Sequence, residues 1–258
     1  MYVTRITFTR TSAPAQGEEP STDAVEAVLG AWRMNGQVCG REWPIVNEAG
    51  GYATVVLSPE RDSLQASFNS GYAAAAVERA EADGLRLDCH ALGEDAESAP
   101  TCSCHSPSGY ALFTTYLSLE SPVRCMDCWH PVALYRFKPM ASGEFNELIS
   151  WQSDYQSCDS LQMNCRVLER AATREISSYD SGLSTDGRTH CATLAASSGR
   201  PFYYYLYRGH GRSRRAELER QCPSCGGEWH LTTRLHSLFD FKCDRCHLLS
   251  NVAFDVAT

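Results

Sequence analysis

The chain has 258 residues, 43% of them apolar, and a formal charge of −8 at neutral pH. That length suffices to bury a core in one large or two modest domains, and there is no apolar run of about eighteen residues to suggest a membrane span. The charge is uneven: residues 1–100 hold seven Arg against fifteen Asp or Glu, a balance of −8, and the remainder is neutral. An acidic surface repels phosphate, so the N-terminal part makes a poor nucleic-acid face.

Residues 2–9, "YVTRITFT", alternate as a strand and not as a secretory signal, which places the chain in the cytoplasm by expectation. "SAPAQGEEPST", residues 12–22, reads as a loop. Val25, Val28, Leu29 and Trp32 recur on one face of a helix at about 22–34, with Asp23 and Glu26 as a capping pair. Two short strands around Gly50-Gly51 follow, then a helix ended by Gly84 and a strand "LRLDCHAL". The order strand-helix-strand-strand-helix-strand is that of a ferredoxin-like α+β domain over residues 1–92.

The polar linker 93–101 separates it from a second domain, residues 102–258, read as helical with one or two zinc-ribbon hairpins. Its expected elements are a strand "YALFTTYLSL", helices at about 143–155 and 158–183, a shorter one near 187–197, and an aromatic strand "PFYYYLYR". Cys158, Leu161, Cys165, Leu168, Ala172, Ile176, Tyr179 and Leu183 recur at helical spacing, which predicts one buried stripe. Cys158 and Cys165 are read as core residues, as are the isolated Cys39 and Cys191.

Thirteen cysteines in a chain without a secretory signal point to metal ligands before disulfides. Cys222/Cys225 and Cys243/Cys246 are two Cys-x-x-Cys pairs separated by seventeen residues, the spacing of a zinc ribbon. Each tight turn aims two sulfurs at one ion, and four thiolates leave no open position, so the ion is structural. Gly226 and Gly227 would supply the positive φ such a turn needs, and Trp229, Leu231, Phe239 and Phe241 would cover the ion. Disulfides, free thiols or iron in a rubredoxin-like site are the alternatives. A second site is expected at Cys102, Cys104, Cys125 and Cys128, where the first pair is the tighter Cys-x-Cys. His105 could replace Cys104 there, and Cys89 or His90 could add a ligand.

Arg208, Arg212, Arg214 and Arg215 form a basic segment that could grip phosphates, or simply be solvated. "FYYYLY" could stack bases but reads better as a core strand. No nucleophile elbow, phosphate loop or metalloprotease helix is present, so neither an enzyme nor a small-molecule substrate is expected.

"YALFTTYLSLESPVRCMDCWHPVALYRF", "WQSDYQSCDSLQMNC", "PFYYYLYR" and "CPSCGGEW…FDFKCDRCHLLSN" together resemble an uncharacterised bacterial family with a domain of unknown function. That family is described as zinc-ribbon-containing and as a candidate nucleic-acid binder. The resemblance runs from about residue 1 to 254 and is most specific over Ser121–Phe137 and Cys222–Asn251. It implies zinc on Cys222, Cys225, Cys243 and Cys246. The expected function is a non-enzymatic, Zn2+-stabilised binding module with one or two ions. It would bind nucleic acid through the ribbon and the Arg segment. The alternative is an acidic adaptor or an inhibitor or immunity-type protein for a basic partner, whose capture acidic charge would speed.

Overall fold

The computed structural model describes residues 1–11 and 21–256; most of the loop expected at 12–22 lies outside them. The protein is a mixed α/β chain that divides into two compact units, each with its own sheet. No helix among the described residues is long and apolar enough to cross a membrane.

The first unit begins with β1 (Tyr2–Arg10), α1 (Asp23–Met34), β2 (Val46–Glu48), β3 (Gly51–Ser58), α2 (Gly71–Ala82) and β4 (Leu85–Glu94). The strand order is β2-β3-β1-β4, antiparallel throughout. Period-two alternation turns Thr4, Ile6 and Phe8 of β1 inward. Helix α1 meets them with Val25, Val28, Leu29 and Trp32, the face its spacing predicts. The β2–β3 turn requires glycine: Gly50 has φ +92°, and a Cβ on Gly51 would stand 2.0 Å from the Phe8 carbonyl oxygen. The start of α1 differs from the expected Asp23/Glu26 pair. The Ser21 Oγ accepts from the Asp23 N–H at 3.1 Å, and the Thr22 hydroxyl donates to Glu26 at 2.7 Å. Residues 119–121 and 130–146 also belong to this unit, so it is not one continuous stretch. The Tyr135 hydroxyl donates to Glu60 at 2.6 Å, its ring lies 4.8 Å from that of Phe68, and Arg136 also pairs with Glu60.

The second unit is not simply helical. It holds a six-stranded sheet in the order β6-β5-β7-β10-β9-β8. These strands are β5 (Tyr110–Leu112), β6 (Val123–Cys125), β7 (Phe202–Leu206), β8 (His230–Leu235), β9 (Phe239–Cys243) and β10 (Leu248–Ser250). β7 runs parallel to both β5 and β10, and the other pairs are antiparallel. As a central strand β7 is buried at all five positions, so its tyrosines are core residues and not a half-exposed stacking platform. Helices α3 (Asn146–Asn164), α4 (Glu169–Ser177), α5 (Gly182–Ser198) and the short α6 (Arg214–Leu218) complete the unit.

Two elements differ from those expected. The strand at "YALFTTYLSL" stops at Leu112, because α3 holds residues 114–118 in a turn. Gln156 donates to Thr114 at 3.0 Å and to the Ser118 carbonyl at 2.6 Å, while Asp159 accepts from the Tyr116 N–H at 2.8 Å. The helix at 158–183 is interrupted by left-handed Cys165 (φ +50°) and Leu168 (φ +56°), resumes as α4, and breaks again after Ser177 before Ser181, whose side chain accepts from the Ser184 N–H, starts α5. The predicted stripe therefore breaks: Ile176 and Leu183 are buried, but Cys165 is exposed and Leu168 is 70% exposed.

Two candidate metal centres

In the terminal group, Cys222, Cys225, Cys243 and Cys246 bring four sulfurs within 4.8 Å of one another. Cys222 and Cys225 precede β8, Cys243 ends β9, and Cys246 lies in the turn before β10. The period of β9 puts Phe239, Phe241 and Cys243 on one buried face. The Cys225 and Cys243 sulfurs are 3.8 Å apart. Ligands on a tetrahedral zinc at its usual 2.3 Å bond length stand about 3.8 Å from each other, so the donor set fits Zn2+. Backbone amides add to the fit. The Gly227 N–H, pointing at its sulfur, is the chief reason Cys225 is held down to about 7, whereas burial pushes Cys243 up to about 12. Of the two glycines only Gly226 has a positive φ, +67°; Gly227 serves by its N–H.

The middle group is equally closed. Cys102, Cys104, Cys125 and Cys128 also lie within 4.8 Å of one another, at the β5–β6 edge of the sheet. The Cys104 N–H points at the Cys102 sulfur and the Asp127 N–H at that of Cys125, both at 3.4 Å. Asp127 accepts from the Ser108 N–H at 2.9 Å and from its hydroxyl, tying the Cys-x-Cys loop to the facing turn. Cys89, His90 and His105 are not members of the group. Burial raises the pKa of Cys102, and the shared hydrogen bond with Cys128 raises that of Cys104. Four thiolates so placed repel one another unless a cation sits among them, and a thiolate set saturates it.

The three Cys-x-x-Cys turns share one backbone feature. The residue after the second cysteine is left-handed in each: Gly226 (φ +67°), Trp129 (φ +64°) and His247 (φ +51°). Glycine marks only the first, so sequence reading could not see the others.

The four arginines of the basic segment divide: one is paired with a buried carboxylate, and three stay exposed. Arg208 donates to Glu217 of α6 at 2.6 Å, and Arg215 to Glu219 at 2.9 Å; Arg212 and Arg214 are exposed. Arg220 is instead an internal brace. It lies 4.4 Å over the Phe241 ring and 5.0 Å over Trp229, and donates to the Asn251 carbonyl at 3.0 Å. A charge count along the chain could not reveal that burial. Cys39 and Cys191 are buried as expected, while Cys165 is not.

Three domains of unknown function match the chain: DUF8589 over residues 1–91, DUF2310 over 104–207 and DUF8594 over 211–256. An uncharacterized protein of Haemophilus influenzae is 38% identical over 254 residues, covering 96% of this chain and 97% of its own length. A second uncharacterized protein of that organism is 39% identical over 173 residues, covering 67% of this chain and 83% of its own length. No solved structure matches. With eight cysteines grouped in two closed tetrads and this identity along nearly its whole length, the chain belongs to the uncharacterised bacterial family of these Haemophilus proteins.

Proposed function

We propose that the protein is a non-enzymatic binding protein whose two four-cysteine centres each hold a structural Zn2+. One observation carries this: eight sulfurs gathered from separate segments of the chain into two sets, each within 4.8 Å and made of thiols alone. Such sets match zinc or iron–sulfur chemistry by ligand type, and the ribbon spacing favours zinc. The order β2-β3-β1-β4 with two helices supports reading the first unit as ferredoxin-like, a fold that presents a binding surface in many proteins but assigns no task. Thirteen thiols without a disulfide suit a reducing cytoplasm.

The partner reading rests on charge. Arg208 is engaged by the buried Glu217, which takes one of the four charges away from a phosphate-gripping surface. The acidic residues 1–100 support a basic protein partner, captured quickly through complementary charge. Elemental analysis of the natively purified chain tests the metal: two zinc ions per chain are expected, and one would remove the middle centre. A pull-down from its own cells, with and without nuclease, tests the partner. A nuclease-resistant, stoichiometric basic protein supports the adaptor or inhibitor role. Nuclease-sensitive RNA or DNA in its place would reverse the assignment to nucleic-acid binding.

A further inference from the structure

The second unit joins its two centres through one side chain. The β8–β9 turn carries His236 at φ +50° and Ser237 at φ +59°. Two consecutive left-handed residues make the tight hairpin turn that Asn-Gly normally fills, and neither His nor Ser adopts that backbone freely. Something must hold the turn. The His236 Nε2 lies 2.8 Å from the Met126 carbonyl oxygen, and its ring stacks on Trp129 with centroids 4.9 Å apart and planes 21° apart. Met126 lies between Cys125 and Cys128, and Trp129 follows them. Trp129 is itself left-handed, and its N–H donates to the Cys125 carbonyl at 2.9 Å. Its ring also meets Phe239, the first residue of β9, edge-on at 5.0 Å. Thus the hairpin tip of the terminal ribbon grips the knuckle of the middle centre, although β8 and β6 are opposite edges in the strand order.

We propose that His236 couples the two metal centres, so that filling either one strengthens metal binding at the other. The inference rests on both centres holding zinc. A knuckle keeps its shape only while its thiolates share a cation. When the middle ion leaves, the Met126 carbonyl and Trp129 lose their fixed positions, and the strained turn loses its anchor. The terminal hairpin, which holds Cys225 and Cys243 together across β8 and β9, then loosens. The coupling is reciprocal by linkage, so losing the terminal ion frees the tip that braces Trp129. His236 is a positioning residue here and not a ligand.

The test is a double-mutant cycle on the full chain, read as zinc affinity by competition with a chromogenic chelator. Zinc content is measured first. Wild type and His236→Ala both keep eight ligands and should load two ions; a wild type that loads fewer overturns the metal assignment, and the coupling with it. If wild type loads two and the mutant fewer, His236 is needed to form a site and not to couple two, and the coupling is overturned. Cys125→Ser then empties the middle centre. Terminal zinc affinity should fall about tenfold when His236 is present and less than twofold when it is Ala. An equal fall in both backgrounds, or none in either, overturns the coupling while leaving the two-zinc reading intact. Zinc release from His236→Ala gives a readout that needs no ligand mutant: two independent phases are expected, and one concerted phase would overturn the proposal.

Discussion

Trp129 and His247 occupy the same left-handed position after their knuckles, yet they differ in what else they touch. Trp129 meets Phe113 at 5.2 Å, Phe239 at 5.0 Å and His236 at 4.9 Å; for His247 the ring contact is an edge to Tyr203 at 5.4 Å. Glycine relieves about 1 kcal/mol of backbone strain at such a site, but removing a packed aromatic ring costs about 3 kcal/mol or more. Trp129→Gly should therefore destabilise the second unit by about 2 kcal/mol, and His247→Gly should lie within about 0.5 kcal/mol of wild type. Urea unfolding followed by near-UV circular dichroism checks the contrast, and equal losses would refute the packing argument. Cys39 is a buried thiol outside both tetrads. Burial in the first unit pushes its thiol from 9.0 to about 12. A group whose folded pKa is raised stabilises fully below its unfolded value, and that contribution is lost as pH rises through the folded value. The slope between pH 9 and 12 should thus be shallower in Cys39→Val, by about 1.4 kcal/mol per pH unit per proton. Parallel stability curves for the two proteins would mean that Cys39 titrates alike folded and unfolded.

Between residue and whole molecule, the segment from β7 to β9 is organised by a buried carboxylate. Glu217 of α6 has a side chain only 3% exposed and accepts from Arg208, with Arg220 at 3.5 Å on its other side. Arg220 reaches Ser250 at 3.1 Å and Asn251 at 3.0 Å while stacked on two rings, a task for a planar fork and not for an ammonium. Arg220→Ala should cost about 3 kcal/mol by leaving Glu217 half-compensated, Arg220→Lys should recover less than half, and Arg212→Ala should be neutral. A thermal-shift series decides; an inert Arg220→Ala would place the ion pair among those that contribute nothing. Elements also differ in how legible they are in the sequence. β1, α1, the Gly50-Gly51 hairpin and α2 come from local signals: alternation, an i, i+3, i+4, i+7 face, a turn and a terminating glycine. The ligand sets are readable for the same reason, since Cys-x-x-Cys is a local geometry. The three-residue strands β6 and β10 are not, because they are too short to show a period and exist through pairing; β5 is read at its start but seven residues too long, since its end is set by pairing with β7 across nearly a hundred residues. The stripe from Cys158 to Leu183 misleads because spacing persists across a break made by two left-handed residues. Arg208 looks like free charge because its partner lies nine residues on, in a helix of only five.

For the molecule as a whole, all eight candidate ligands belong to the second unit and stand at the two edges of its sheet. The middle centre closes β5 and β6, and the terminal centre closes β8, β9 and β10. The short strands there have few ladder bonds of their own, so ions held by these thiols would supply order that the chain lacks. The first unit is built differently: Ile6, Phe8, Val28, Leu29, Trp32 and Val56 form a core with no metal ligand in it. A strong chelator at neutral pH should therefore raise hydrogen exchange in residues 102–129 and 221–250 while β1, β3 and β4 keep their protection. The direction with pH comes from proton competition. Metal needs thiolates, so the metal-bound state carries fewer protons, and acidification favours the metal-free state. The same two segments should lose protection as pH falls toward about 5 and regain it when pH and zinc are restored together, but not when pH alone is restored. Exchange that rises equally in β1, β3 and β4 would mean that the first unit's core does not stand without the ions. Exchange unchanged everywhere would leave the two tetrads as packed thiols, and the structural role of zinc would have to be given up.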